Sequence, residues 1–343
     1  MLKNELTSKR STIRDVAKAA GMSIASVSRA LKDPSTVRPD TRAKVLTAAN
    51  ELGFQVNRLA VDFRTGRTHT LMVLVPNIAN PFYSEFFKGI EEAARLANYL
   101  VLIADTASDA FREADYFSML TSGKCDGLIA HIGRFPENVL ELFAGESAGR
   151  FPIVSCNRDA GVEIPTVGID NYGAGRQAAL HLLALGHRRF GQIVGPMEYE
   201  ECKAKHAGFV DTLLEAGISH AEECQAPGDL TIASGRAAAR KLFGLHTPPS
   251  ALFIHSDEMA LGAIQELRSC GINVPSDVSV VSFDDVNFAS AVAPALTTIR
   301  VPRREWGAAA CRLLLAHMEG KEAPEARTLT ADLVVRESTA APS

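Results

Sequence analysis

The feature that most restricts the fold is a regular alternation of short apolar runs and longer amphipathic segments, which begins near residue 71. A first series contains the runs LMVLV, LVLIA, GLIA and PIVS, with helices predicted over 82–97 and 111–120. A second series contains TVGI, FGQIV, ALFI and VSVVSF, with helices predicted over 172–185, 201–216 and 258–270. Two successive strand and helix series predict an α/β body with two lobes, each built on a doubly wound parallel sheet.

Polar residues follow the predicted strands, at the ends where parallel sheets bind ligands. They are Asn80 to Tyr83, Asn157 and Arg158, Asp170 and Asn171, Ser256 and Asp257, and Asp284 and Asp285. Their recurrence favours a ligand cleft between the two lobes over scattered surface loops. Any single one also fits a helix cap, and for Asp170, Ser256 and Asp257 capping is the favoured interpretation.

The first 68 residues differ in charge from the rest of the chain. They hold 13 of the 36 Lys and Arg but only 6 of the 40 Asp and Glu, so their formal charge is +7 while that of the remainder is −11. A basic segment on an acidic protein indicates contact with a polyanion.

Other classes of site find no support in the 343 residues. The six cysteines are scattered without a CxxC pair, and the nine histidines show no metal-ligand spacing such as HExxH. The start, MLKNELTSKR, lacks the apolar region of a signal peptide, and no stretch approaches the ~18 apolar residues of a membrane span. We therefore expect a cytoplasmic protein with no metal, no cofactor and no membrane contact.

The basic segment carries the pattern of three short helices. Thr12 and Asp15 form a capping box before an apolar stripe at i, i+3, i+4 and i+7, and Gly21 ends that helix. Ser23 can cap a second helix, whose inward residues are Val27, Ala30 and Leu31. A third helix is predicted from Pro39 to Leu52 with four inward residues: Val45, Leu46, Ala49 and Leu52. A tight turn between two helices in a basic context indicates a helix-turn-helix.

The second helix of this motif would enter the major groove of DNA. Ala25, Ser28 and Arg29 face away from its core stripe. Arg29 can pair bidentately with guanine, Ala25 can contact a thymine methyl, and Ser26 or Ser28 can bind a phosphate or a base edge. Ile24 fits the core or the DNA surface equally well. The candidate DNA-contacting residues of the head are Thr12, Ser23, Ile24, Ala25, Ser26, Ser28 and Arg29. The alternative is a generic helical bundle with a solvated basic face.

Residues 12–54, TIRDVAKAAGMSIASVSRALKDPSTVRPDTRAKVLTAANELGF, resemble the DNA-binding head of the LacI-type family, which includes the lactose and galactose repressors. The resemblance continues through nearly the whole chain. It implies a DNA-binding head over residues 1–56, a hinge over 57–69 and an effector-binding and dimerisation domain over 70–343. Lobe 1 is expected over about 70–166 plus 295–324, and lobe 2 over about 167–294 plus 325–343.

The hinge segment, FQVNRLAVDFRTGRT, places Leu59, Ala60 and Phe63 on one face of a possible two-turn helix, which is too short to be stable alone. The resemblance implies that this helix orders beside its dimer mate in the minor groove, with Asn57, Ala60 and Phe63 against DNA. Phe63 stands where an apolar wedge, usually Leu, enters between base steps. Val56 replaces a common Pro and Val61 a common basic residue, and a plain flexible linker remains the alternative.

The resemblance also implies a body like that of periplasmic sugar-binding proteins. NPFY at residues 80–83 matches a stretch whose aromatic rings flank the ligand, and FDD at 283–285, followed by PALTTI, places Asp284 at the ligand hydroxyls. The effector-binding positions that it implies are Asn80, Phe82, Tyr83, Asn157, Arg158, Lys205, Leu230, Ser256 and Asp284. A carboxylate accepts hydroxyl protons while a ring face covers apolar CH groups, so a sugar suits such a site.

Three of these positions depart from the family pattern. Lys205 replaces a usual Arg, Leu230 a common aromatic residue and Ser256 a common Asn. An ammonium does not reproduce a guanidinium fork, and Lys205 with Arg158 could favour a sugar acid or a sugar phosphate over an unmodified sugar.

Two other functions share parts of these patterns. Gly173, Gly175 and Ala178 spell GxGxxA after a predicted strand, as in an NAD-dependent oxidoreductase, but no acidic residue ends the next strand. A solute-binding protein for transport would share the body, but not the basic head. We therefore predict that the chain is not an enzyme. We predict a homodimeric, sequence-specific transcriptional regulator, a repressor of a carbohydrate or related catabolic operon, which binds a palindromic operator and responds to a small polar effector.

Overall fold

Two units make up the chain, residues Met1–Thr68 and His69–Ser343. This computed structural model describes residues 11–32, 36–54, 66–132, 135, 137–143, 151–157, 164–219, 221–321 and 327–342. Within those ranges, no helix combines the length and the apolar character needed to cross a membrane.

The first unit contains the three predicted helices, α1 (Ile13–Ala20), α2 (Ile24–Lys32) and α3 (Pro39–Glu51). The capping box is present, because the Asp15 carboxylate accepts hydrogen bonds from Thr12 N at 2.8 Å and Thr12 Oγ1 at 2.7 Å. Gly21 ends α1 with a φ of 65°, a left-handed conformation that glycine adopts without strain. Ser23 Oγ accepts from Ser26 N at 3.1 Å at the start of α2.

Seven buried residues form the core of this unit: Val16, Ala17, Val27, Ala30, Val45, Ala48 and Ala49. The inward assignment of Leu46 was wrong, because its side chain is 40% exposed. The stripe on α3 runs through Val45, Ala48, Ala49 and Leu52, spaced i, i+3, i+4 and i+7, and Leu46 lies beside it. Ile24 is 46% exposed, so it belongs to the surface of α2 and not to the core.

The second unit begins with a lobe built on a four-stranded parallel sheet, ordered β2-β1-β3-β4. Its elements are β1 (Thr70–Val75), α4 (Tyr83–Leu96), β2 (Leu100–Asp105), α5 (Ala110–Thr121), β3 (Gly127–Ala130), α6 (Glu137–Phe143) and β4 (Ile153–Ser155). Every residue of the inner strand β3 is buried, as expected for a strand covered on both faces, and the residues of the edge strand β4 are buried as well.

The second lobe is built on a six-stranded sheet, ordered β12-β10-β9-β8-β6-β7, in which only β12 is antiparallel to its neighbour. Its elements are α7 (Asn171–Ala184), β6 (Phe190–Val194), α8 (Glu200–Glu215), β7 (Gln225–Pro227), α9 (Ile232–Phe243), β8 (Ala251–Ile254), α10 (Asp257–Ser269), β9 (Ser279–Asp284), β10 (Thr297–Arg300) and β12 (Asp332–Val334). Short 3-10 turns lie at Glu222–Cys224 and Asn287–Ser290.

The chain passes between the lobes more than once. After β10 it enters α11 (Arg303–Met318), which packs along α4 in the first lobe. The strands β5 (Val167–Ile169) and β11 (Arg327–Leu329) pair in parallel and form a separate two-stranded sheet. The segment 295–324 therefore divides: its strand β10 pairs with β9 in the second sheet, whereas the expected assignment placed the whole segment in lobe 1. Backbone hydrogen bonding to the neighbouring parallel strand β9 decides where β10 lies, and its closeness in sequence to α11 does not.

Glycines set the close approach of the packed helices. A Cβ on Gly175 of α7 would lie 2.2 Å from the backbone oxygen of Lys205, and one on Gly208 of α8 would lie 2.0 Å from that of Tyr172. The same reciprocal arrangement joins α4 to α11 through Gly89 and Gly307. These positions have no room for a side chain because backbone atoms, which cannot rotate away, fill the space.

We expect Gly175→Ala to destabilise the protein. A better helix propensity offers at most ~1 kcal/mol, whereas forcing two backbones apart costs typically ~1–3 kcal/mol and more for a contact this short. Urea denaturation should give a lower midpoint than for the wild type. Gly168→Ala is the control, because nothing lies within 4 Å of its Cβ position. Equal losses for the two variants would contradict this account of the α7 and α8 packing.

Candidate functional site

The exposed face of α2 is the first candidate surface. Thr12, Ser23, Ile24, Ala25 and Arg29 are exposed, and Ser26 and Ser28 are half-buried. Two of these residues also have local roles, since Thr12 and Ser23 lie at the N-termini of α1 and α2. Among the described residues, the one hydrogen bond found for the Arg29 guanidinium is long, 3.4 Å from Nε to the carbonyl oxygen of Ala25. Within that part of the chain, its remaining donors are available to another partner.

Four predicted site residues lie outside the described residues. They are Asn57, Ala60 and Phe63 of the hinge, and Arg158 beside Asn157. Their roles stay predictions.

The second candidate surface is a cavity of about 600 Å³ between the two lobes. Eight of the nine predicted effector positions line it: Asn80, Phe82, Tyr83, Asn157, Lys205, Leu230, Ser256 and Asp284. Both lobes contribute, and the residues come from segments as distant in sequence as 80 and 284. A volume of this size accommodates a small metabolite.

Some of these polar side chains also stabilise the local backbone. Asn80 Oδ1 accepts from Phe82 N at 2.8 Å, and the Ser256 hydroxyl caps α10 by accepting from Met259 N at 3.2 Å. Asp170 caps α7 through Gly173 N at 2.8 Å. The capping interpretation is therefore confirmed for Ser256 and Asp170. Asn157 is tied to the first lobe, because its Nδ2 donates to Ile132 O at 3.1 Å.

The capping interpretation of Asp257 was wrong. This carboxylate is fully buried and accepts from Ser282 Oγ at 2.5 Å, Thr298 Oγ1 at 2.8 Å and Val286 N at 2.8 Å. Because Ser256 already supplies the cap, Asp257 instead anchors the segment that follows β9. Burial raises its pKa to about 6, against the lowering effect of these hydrogen bonds.

The end of β9 holds Asp284 in an unusual backbone conformation. Asp284 has a φ of 111° and Asp285 a φ of 54°, values that cost energy for residues other than glycine. The Asp285 carboxylate is held by Arg300 Nε at 2.7 Å and Arg336 Nη2 at 2.7 Å. The turn is thus fixed by contacts of Asp285, while its neighbour Asp284 lines the cavity.

An aromatic wall covers the first-lobe side of the cavity. Trp306 packs against Phe82 and His131 with ring centroids 6.2 Å and 5.1 Å away. The Tyr83 hydroxyl lies 3.1 Å from His131 Nδ1. Burial lowers the pKa of His131 to about 4 and raises that of Tyr83 well above its ordinary value. The phenol therefore stays protonated, and it shares a hydrogen bond with a neutral imidazole.

Titratable side chains also line the cavity, among them Lys205, Glu201 and Asp284. Lys205 is 7% exposed, and its Nζ lies 3.7 Å from the centre of the Phe283 ring, a cation–π contact. Burial raises the pKa of Glu201 and raises that of Asp284 well above its ordinary value, while the charge of Lys205 lowers both. Among the described residues, four acidic side chains, Asp170, Glu200, Glu201 and Asp284, line the cavity beside one lysine. This excess of acidic groups disfavours a strongly anionic ligand.

Several residues that line the cavity were not predicted as effector positions from the sequence. They are His131, Tyr172, Tyr199, Glu201 and Trp306. Tyr172 and Glu201 stand at the starts of predicted helices, close in sequence to the polar residues that follow the strands, so their positions carried a signal of the site. Trp306 gave no signal, because it lies on a helix that the strand and helix pattern did not reveal.

The dinucleotide interpretation fails on geometry. Gly173 and Gly175 lie within α7, where Gly173 faces the Asp170 carboxylate and Gly175 faces the backbone of α8. A dinucleotide loop instead needs its glycines in the turn before the helix, open to a phosphate. Among the described residues, no group of three or more His, Cys, Asp or Glu is placed to hold a metal ion.

Both parts of the chain that carry a candidate surface match known protein families. Residues 12–57 match the family described as bacterial regulatory proteins, lacI family, and residues 179–339 match a periplasmic binding protein-like domain. The chain is 37% identical over 332 residues to the HTH-type transcriptional repressor CytR of Escherichia coli (strain K12), covering 96% of each chain. It is 35% identical over 332 residues to the HTH-type transcriptional regulator DegA of Bacillus subtilis (strain 168), covering 96% and 98%.

Solved structures agree with these matches. The complex of the transcriptional regulator CelR with cellobiose matches with a TM-score of 0.73 and 32% identity, over 96% of this chain and 100% of that one. The crystal structure of the Lac repressor dimer bound to operator and the anti-inducer ONPF matches with a TM-score of 0.84 and 26% identity, over 97% and 100%.

Proposed function

Because the chain belongs to the LacI family of bacterial regulatory proteins, we propose that it represses transcription as a homodimer on a palindromic operator, under the control of a small effector. Like the relatives that it matches, it is a DNA-binding transcriptional regulator, and it is not an enzyme. The observation that carries the proposal is the exposed face of α2 in a basic head, joined in one chain to a two-lobed cleft. The cytoplasm is its expected location.

Base reading is assigned to Arg29, Ala25, Ser28 and Ile24, which point away from the head core. An exposed guanidinium can bind both acceptors of a guanine, and the apolar side chains of Ala25 and Ile24 suit thymine methyl groups. Thr12, Ser23 and Ser26 are assigned to the phosphate backbone, because helix N-termini favour anions. Asn57, Ala60 and Phe63 are proposed as the minor-groove contacts of the hinge.

An exposed apolar surface on the first lobe supports a homodimer. The edge strand β2 exposes Leu100 (61%), Leu102 (46%) and Ile103 (41%), and the nearby Leu96 and Phe111 are more than three-quarters exposed. An uncovered apolar edge strand is uncommon on a monomer, because it invites pairing with another chain. A second copy would bury it and would present two heads to the two half-sites of a palindrome.

The cleft supports a small polar effector with hydroxyl groups. Asp284 and Glu201 can accept hydroxyl protons, Lys205 can donate, and the wall of Phe82 and Trp306 can cover an apolar ring face. The sequence leaves three types of effector open: an unmodified sugar, a sugar acid and a sugar phosphate. The excess of acidic residues in the lining of the cavity supports the unmodified sugar. A carbohydrate or related catabolic operon is the corresponding target.

The effector acts by shifting a population. If it binds one arrangement of the lobes better than another, it favours that arrangement by its difference in affinity, and operator binding changes by the same coupling free energy. A ligand bound equally well by both arrangements would change nothing.

Selection of DNA from a random library by the full-length chain tests this function. We expect enrichment of an inverted repeat, with binding that weakens as salt rises because phosphate contacts release counterions. Recovery of sequences without two-fold symmetry would contradict the homodimeric operator model, and no enrichment at all would contradict specific DNA recognition.

A further inference from the structure

Arg303 occupies the point where the chain passes from one lobe to the other. It is the first residue of α11, three residues after the end of β10 in the second sheet, and α11 packs along α4 of the first lobe. Its side chain is buried, with 6% exposed, yet it does not line the cavity. A buried guanidinium is expensive unless its donors are well satisfied.

Its donors reach both lobes at once. Nη2 donates to the carbonyl oxygen of Asp285 at 2.8 Å, on the second-lobe side. Nη1 donates to the carbonyl oxygen of Phe82 at 3.2 Å and lies 3.5 Å from that of Pro81, on the first-lobe side. Within the described residues, no carboxylate lies close enough to form an ion pair with Arg303. The cation is therefore held by neutral carbonyls of two separate chain segments.

Both of those segments carry ligand-facing residues. Asp285 follows Asp284, and its own carboxylate is clamped by Arg300 and Arg336. Phe82 belongs to the aromatic wall and precedes Tyr83, which contacts His131. The guanidinium also lies 5.9 Å from the centre of the Phe82 ring. A shift of either segment relative to the other would lengthen at least one of its hydrogen bonds.

We propose that Arg303 is a positioning residue that sets the separation of the two lobes at the cleft, so that Asp284 and the Phe82 wall face the same ligand. The planar fork of arginine can direct two nitrogens in fixed, divergent directions, which a lysine ammonium at the end of a flexible stem does not reproduce. This inference rests on the proposed effector cleft but not on DNA binding.

The protein carries a built-in reporter for this arrangement. Trp306 is the only tryptophan of the chain and lines the cavity three residues after Arg303. Its indole Nε1 donates to Val167 O at 2.7 Å in the strand that joins the lobes. Because it is 4% exposed, its fluorescence should be weakly quenched by acrylamide as long as the lobes keep this arrangement.

The test compares Arg303→Met with Arg304→Met in the full-length protein without effector or DNA, well below the thermal transition. Methionine keeps the unbranched stem and removes every donor. We expect the quenching constant of Trp306 to rise roughly twofold or more in Arg303→Met, with a red-shifted emission, because local opening exposes a buried group. Arg304 is the matched control, since it lies next along α11 and pairs with Glu92 outside the cavity. Its variant should quench like the wild type.

A second variant decides the case in which Arg303→Met does not fold. Arg303→Lys keeps the charge and should fold, and we expect its quenching constant to exceed that of the wild type, because one ammonium cannot direct two nitrogens toward both segments. Wild-type quenching in a folded Arg303→Met, or in Arg303→Lys, would overturn the proposal. An equal rise in Arg304→Met would also overturn it, because it would assign the effect to α11 stability in general. Operator selection by the wild type is a separate measurement, so a failure here leaves the DNA-binding proposal intact.

Discussion

Arg29→Ala should weaken operator binding by ~1 to 3 kcal/mol and relax the preference for one base pair in each half-site. Arg29 is exposed on α2, and its only intramolecular hydrogen bond in the described structure is the long one to Ala25 O. Its removal therefore takes away base recognition without disturbing the Val16 and Val27 core. Fluorescence anisotropy with the selected operator and with single-base variants measures both effects.

Arg42→Ala is the matched control for Arg29→Ala. Arg42 is an exposed arginine of the same head but lies on α3. Loss of its charge should weaken binding to all sequences alike and reduce the salt dependence by about one contact at most, with base preference unchanged. If Arg29→Ala showed the same uniform loss as Arg42→Ala, Arg29 would be a phosphate contact and its base-reading role would be wrong.

Asp284→Asn should lower effector affinity by ~1.5 to 3 kcal/mol, the range for a hydrogen bond to a charged group, while operator binding without effector persists. The amide keeps the shape of the side chain but loses the charge and one acceptor. Titration of Trp306 fluorescence with an effector found in a thermal-shift screen of sugars measures the affinity directly. Asp332→Asn, at the exposed first position of β12, is the control and should bind like the wild type.

The pH dependence of effector binding should distinguish the wild type from Asp284→Asn. Burial raises the pKa of Asp284 well above its ordinary value, so the acceptor form is lost as the pH falls through that raised pKa. Wild-type affinity should therefore decline on acidification, and the decline should be smaller in Asp284→Asn. An unchanged affinity and pH profile in the variant would remove Asp284 from the effector site.

Local rules were enough to predict much of this fold from the sequence. The helices predicted over 82–97, 172–185 and 201–216 occur within one residue at each end, as α4, α7 and α8. The capping box of Thr12, the Gly21 terminator and the Ser23 cap also follow from interactions within four residues. Such features depend on hydrophobic period and on nearby hydrogen bonds, so a single sequence contains them.

The sequence by itself determined the two classes of surface, a basic three-helix head and an α/β body with polar residues at its strand ends. Only the tertiary structure decided what those residues do. Asp257 is a buried anchor because three donors converge on it: Ser282 of β9, Val286 of the turn after β9, and Thr298 of β10. Trp306 and Arg303 gained their positions from α11, whose packing on α4 joins residues more than 200 positions apart. Contacts of that range depend on how whole elements pack, and no local pattern encodes them.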